Sequence, residues 1–121
     1  MVNKQELNKD ERIYKEESRL RKIYKKIPKN IFTVADGLIR RAAYMRVALE
    51  DYERDLDENG YVELFTQSEK TDPYERERPV ARLYNSMNKN YQSIIKQLTD
   101  LLPKQGKTIE DDGFDEFVNN K

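Results

Sequence analysis

Apolar and small residues recur at Ile31, Ala35, Leu38, Ala42, Met45, Leu49, Tyr52 and Leu56, in steps of 4-3-4-3-4-3-4. This is a heptad seam held over nearly four heptads, the pattern of a long helix with one face against a partner. Thr33 and Asp36 have the spacing of a capping box, which puts the regular helix near Val34. Asn59-Gly60 supplies the left-handed residue that ends many helices. About 26 residues at ~1.5 Å each make a helix of roughly 39 Å.

A second seam, Val80, Tyr84, Met87, Tyr91, Ile94, Leu98 and Leu101, steps by 4-3-4-3-4-3 until Pro103 closes it. Two matched seams joined by about 19 residues predict an antiparallel helical hairpin, with Ala35 and Ala42 facing Tyr91 and Leu98. Phe32, Ile39 and Ala43 form another stripe about 100° round from the first seam. That stripe needs a third helix or a neighbouring subunit, and its three residues are the expected oligomer interface. The third helix is the first in sequence, about residues 11–27. Leu20, Ile23, Tyr24 and Ile27 sit at i, i+3, i+4 and i+7, Ile13 extends the stripe, and Pro28 stops it. Residues 1–10 are polar and expected to fray.

Tyr61 to Thr66 alternates weakly and reads as a short extended segment. Asp72-Pro73-Tyr74-Glu75 has the form of a helix start, with Asp as N-cap, Pro at N1 and Glu at N3. Pro79 then breaks that turn, so the main return helix starts at Arg78 or Pro79. The charges of Tyr74–Asn85 are expected to be solvated or locally paired around this entry. The fold class is therefore all-α: a hairpin of about 31–58 and 78–102 plus an N-terminal basic amphipathic helix. Residues 1–104 form one helical domain and residues 105–121 a flexible acidic tail.

Composition sharpens this outline. In 121 residues, 36% are apolar and 38% charged, against averages of roughly 45–50% and 25%. Such a chain buries little core alone, which favours association. Net charge is zero, yet residues 1–29 hold ten Lys/Arg and five Asp/Glu, while residues 106–121 hold two and five. Opposite signs at opposite ends suggest different partners. The absence of cysteine, histidine and tryptophan removes disulfides, thiolate and imidazole metal sites, and Ser/His or Cys/His nucleophiles. No cofactor, metal or catalytic residue is expected. No apolar run reaches the ~20 residues of a membrane helix, so a soluble intracellular protein is expected.

The strongest candidate for function is Arg19 to Lys29, RLRKIYKKIPK, with six bases and no acid. On a helix at ~100° per residue, Lys22, Lys25, Lys26 and Lys29 centre opposite the apolar face. Like charges at i, i+4 cost a few tenths of a kcal/mol, so the cluster suggests an anionic partner, with a solvated lysine face as the alternative. Lysine-to-phosphate contacts give affinity without sequence choice. The predicted double-stranded DNA contacts are Arg19, Arg21, Lys22, Lys25, Lys26 and Lys29, with Arg40 extending the surface. Arg41 and Arg46 flank the first seam, and Arg46 is placed to pair with Glu50. The acids Glu50, Asp51, Glu53, Asp55, Asp57 and Glu58 scatter round their helix rather than converge, which argues against a magnesium nuclease. In the tail, Phe114, Phe117 and Val118 lie among five acids. They read either as part of a solubilising tail or as a linear motif that docks on a partner.

The runs DGLIRRAAYMRVALEDYERDLDENG and ERPVARLYNSMNKNYQSIIKQLTDLLPK resemble the small terminase subunits of tailed bacteriophages, in the group built on a long helical hairpin. The matching parts are Asn59-Gly60, Pro79, Asn85 and Leu101-Leu102-Pro103, and the similarity spans about residues 20–104. The resemblance implies a non-enzymatic DNA-packaging factor in the cytoplasm of the infected bacterial host. It would form a homo-oligomeric ring, engage double-stranded viral DNA, and recruit and regulate the large terminase subunit. The competing class is an oligomeric helical adaptor with no nucleic-acid role.

Overall fold

The computed structural model describes residues 8–104. It is predominantly helical, in the order α1 (Lys9–Ile23), a 3₁₀ turn (Lys29–Ile31), α2 (Phe32–Asn59), β1 (Val62–Phe65), β2 (Tyr74–Glu77) and α3 (Pro79–Asp100). No helix among the described residues is long and apolar enough to cross a membrane.

α1 begins earlier than its apolar stripe suggests because Asn8 and Glu11 form a reciprocal capping box. The Glu11 amide donates to Asn8 Oδ1 at 2.8 Å, and the Asn8 amide donates to Glu11 Oε1 at 3.2 Å. These bonds satisfy two donors that a helix start leaves open. The helix also ends a turn early, at Ile23 rather than Ile27. Pro28 has no N–H to give the Tyr24 carbonyl, and the residue before a proline is pushed out of helical geometry. The Ile27 amide takes that carbonyl instead, at 3.1 Å, in a tight turn. Tyr24 and Ile27 still reach the core, whereas Ile23 is 51% exposed and leaves the predicted stripe.

α2 enters directly from the 3₁₀ turn, with Ile31 as N-cap and no side-chain cap bond. The capping box expected from Thr33 and Asp36 does not form. The Asp36 carboxylate accepts from Arg21 Nε at 2.8 Å and from Arg40 Nε at 3.3 Å. At the far end Gly60 adopts φ 86°, ψ 177°, a region essentially closed to side-chain-bearing residues.

α3 runs back along α2. Arg46 donates to the Tyr91 hydroxyl at 3.4 Å, the Tyr84 hydroxyl to Glu53 at 3.0 Å, and Arg78 to Asp55 at 2.9 Å. Numbers rise on one helix as they fall on the other. Leu98 is wholly buried in a cluster with Ala35 and Ala42, whose small side chains admit it. Leu20, Tyr24 and Ile27 complete that cluster from the α1 side, together with Ile39 and Ala43. Burying side chains of this size contributes roughly 1.5–3 kcal/mol each.

That cluster corrects the expected oligomer interface. Ile39 is 1% exposed and Ala43 0%, because α1 covers the stripe within one chain. Only Phe32, 45% exposed beyond the end of α1, remains available to a neighbour.

The connection corrects a second expectation. Tyr74–Glu77 is a strand, not a helical turn, and pairs antiparallel with β1 in the register Val62↔Glu77, Glu63↔Arg76, Leu64↔Glu75, Phe65↔Tyr74. Pro73 and Pro79 both push the residue before them towards extended geometry, leaving too few residues between them for a helix. Cross-strand pairs then decide the outcome. Arg76 bonds Glu63 at 2.7 Å and lies 3.6 Å over the Phe65 ring, and Phe65 meets Tyr74 edge-on at 5.9 Å. Arg78 closes the loop: its amide donates to the Tyr61 carbonyl at 2.9 Å and its guanidinium to the Gly60 carbonyl at 2.8 Å.

Candidate nucleic-acid interface

The early end of α1 rearranges the basic run. Lys22 is on the last helical turn, Lys25 and Lys26 are in the turn that follows, and Lys29 opens the 3₁₀ turn. They are not one cationic helix face, as expected, but a cationic corner. All four are exposed. The corner is pinned from beneath by buried Tyr24 and Ile27, and the Tyr24 hydroxyl meets Thr99 Oγ1 at 3.0 Å. Its backbone is therefore held by the core while its ammonium groups face solvent.

The arginines behave differently. Arg19 is held by Glu16 at 2.6 Å, Arg21 by Asp36 at 2.8 Å and Glu17 at 3.5 Å, and Arg40 by Asp36 at 3.3 Å. Arg46 reaches Glu50 at 3.5 Å and Glu16 at 3.9 Å. Among the described residues every arginine except Arg41 has an ion-pair partner, whereas Lys96 is the one lysine that does. The planar guanidinium fork suits fixed pairing with carboxylates, while the lysine ammonium is a hydrated point charge on a mobile stem. Among the described residues arginine ties the elements together and most lysines have no ion-pair partner.

Titration directions follow the same division. The hydrogen bond from Arg21 holds the Asp36 carboxyl below the ordinary carboxylate range, against the opposing effect of burial. Arg21 itself is raised, chiefly by the Asp36 hydrogen bond. Arg19 is raised by its hydrogen bond to Glu16, and Arg12 by its hydrogen bond to Asp51. For Asp51, burial pushes upward, but hydrogen bonds from Arg12 and Arg54 outweigh it and the carboxyl is lowered.

These contacts reassign the predicted DNA residues. Lys22, Lys25, Lys26 and Lys29 form the exposed corner, and Arg19, Arg21 and Arg40 sit beside it with their charges shared by Glu16, Glu17 and Asp36. The acids of α2 do not converge. Asp51 takes Arg12 and Arg54, Asp55 takes Arg78, and Glu50 takes Arg12 and Arg46. Among the described residues no group of three or more acids could hold a metal ion. Phe114, Phe117 and Val118 lie outside the described residues. Arg12, 2.7 Å from Asp51 and 3.1 Å from Glu50, was not legible in the sequence, since its partners are 38 and 39 residues away.

The surface also carries exposed apolar side chains at the other end of the long helices. Tyr61 just before β1, Val62 and Leu64 on it, the last 71% exposed, and Leu83 on α3 are all exposed. β1 and β2 pair only with each other, so each has an open edge of the kind that joins chains. No family model, curated protein or solved structure matches the chain.

Proposed function

We propose that this chain is a non-catalytic DNA-packaging factor, the small subunit of a bacteriophage terminase. On this reading it assembles as a homo-oligomer, binds double-stranded viral DNA and recruits the large terminase subunit in the host cytoplasm. The observation that supports it most is the corner of Lys22, Lys25, Lys26 and Lys29, exposed and without ion-pair partners among the described residues, beside arginines that are paired. A cluster of unpartnered cations on a backbone fixed by the core is suited to an extended anion such as duplex phosphate.

Each subunit offers about four phosphate contacts, which is weak at physiological salt, and repetition of the corner around an assembly raises affinity through effective concentration. Exposed apolar side chains that could serve self-association, in place of the buried Ile39 and Ala43, include Phe32 at one end and Tyr61, Val62, Leu64 and Leu83 at the other. The run of α3 back along α2 supports this reading, since the resemblance implies a long helical hairpin. Native mass measurement with and without a duplex tests it. The expected species is a multiple of 14.5 kDa that takes up duplex. An assembly indifferent to duplex would favour the adaptor reading, and a stable monomer would contradict both.

A further inference from the structure

We infer that the acidic C-terminal segment of this chain docks on its own lysine corner and competes there with polyanions. The inference rests on the proposed DNA role of the corner for its consequence, though not for the contact itself. Three observations carry it.

The first is where the described chain ends. Thr99 meets Tyr24, and Leu101 and Leu102 pack against the cluster that holds Tyr24 and Ile27. The described chain therefore ends, at Lys104, at the end of the helices that carries the lysine corner, and not at the sheet end of the molecule. The second is charge. The segment from Gln105 onward carries Glu110, Asp111, Asp112, Asp115 and Glu116 against Lys107 and Lys121. It meets four lysines that lack partners among the described residues. The third is apolar match. Phe114, Phe117 and Val118 punctuate the acids, and Ile23 and Phe32 lie exposed next to the lysines.

Reach is not limiting. Glu110 lies six residue steps beyond Lys104, which span up to ~20 Å at about 3.3–3.6 Å each. A segment on so short a tether meets the corner at an effective concentration on the order of millimolar. Contacts of only millimolar intrinsic affinity are then half formed, and an incoming duplex must displace them. Relieving that competition should tighten duplex binding by about two- to tenfold for a tether in this range.

The test uses the full chain with Glu110→Gln, Asp111→Asn, Asp112→Asn, Asp115→Asn and Glu116→Gln, and a second full chain with Phe114→Ser and Phe117→Ser. Without DNA and at low salt, the acetylation rates of Lys22, Lys25, Lys26 and Lys29 are read by mass spectrometry, with Lys89 as internal control. Docking predicts slow labelling of the corner in the natural sequence and severalfold faster labelling in both variants, with Lys89 unchanged. Equal rates in all three chains would overturn the inference, whatever DNA does. Protection that disappears on dilution would assign the corner to another copy's tail and overturn the same-chain contact. If protection is found but no chain binds duplex, the contact stands and the DNA reading falls. The Phe variant separates docking from general electrostatics, because it leaves net charge unchanged and should still tighten duplex binding.

Discussion

The two ends of the long helix pair are built on opposite principles. At one end α1, the 3₁₀ turn and the close of α3 converge on a dry cluster, and the surface above it is cationic. At the other a two-stranded sheet caps the hairpin beside a smaller buried set that includes Leu56 and Ala81, and the surface is acidic and apolar. Residues 19–48 contain nine Lys/Arg and one Asp/Glu, whereas residues 51–77 contain three and ten. The cationic end is rigid because Tyr24, Ile27, Ile39 and Leu98 are buried there. The acidic end holds its shape through Arg76 with Glu63 and Arg78 with Asp55 and Gly60. Packing dominates one end, while at the other charged hydrogen bonds add to a smaller packed set, so the two should respond differently to mutation and to salt.

The largest contrast lies in the core. Leu98→Ala should cost about 2–5 kcal/mol, as for other fully buried leucines. Leu64→Ser on the exposed face of β1 should stay within about 0.5 kcal/mol at dilutions where the chain is monomeric. Urea denaturation of the two variants at such dilution reads this, and similar costs would mean that the sheet end is packed within the chain itself. One position at the sheet end breaks the pattern. Gly60→Ala meets no atom within 4 Å, yet φ 86° should make it cost about 1–3 kcal/mol through backbone strain alone.

A smaller effect concerns how α1 is fastened. Asp36→Asn should lower stability near neutral pH by about 1 kcal/mol, since it weakens a partly buried charge-assisted bond. The Asp36 carboxyl is lowered in the folded chain by Arg21. Its contribution is therefore complete above the unfolded value of about 3.9 and is lost as pH falls through the lower folded value. The variant and the natural sequence should converge in strongly acidic solution. A constant gap across that range would show that the Arg21 pair is not its source.

The mainly helical architecture was legible because heptad spacing survives any detail of tertiary contact: the seam positions of α3 from Val80 to Leu101 are all buried or half-buried. Boundaries depended on local competition. Asn8 and Glu11 carried a readable capping signal, while Pro28 acted through the residues before it and shortened α1. The strand at Tyr74–Glu77 was hidden because its cause lies across the chain in Glu63 and Phe65, and DPYE alone favours a helix. The stripe of Phe32, Ile39 and Ala43 was visible, but periodicity does not say whether a helix of the same chain or of another covers it. For the candidate site the run of bases was plain. Its division into paired arginines and free lysines was not, because Glu16 and Glu17 precede the run and Asp36 follows it by seven residues from Lys29.

The central claim is that the cationic end exists to hold duplex phosphate. Its most direct test is the salt dependence of duplex binding by the natural sequence and by Lys25→Glu with Lys26→Glu. Both positions are exposed, so stability and assembly should change by less than about 0.5 kcal/mol. Four contacts on each engaged subunit predict a log-log slope near −3.6 per subunit bound, about a hundredfold loss between ~50 and ~200 mM salt for one subunit, and removing two should halve the slope, by roughly 1.8 for each subunit engaged. An unchanged slope in a variant that still folds and assembles would contradict the account and leave the lysine corner as solvated surface.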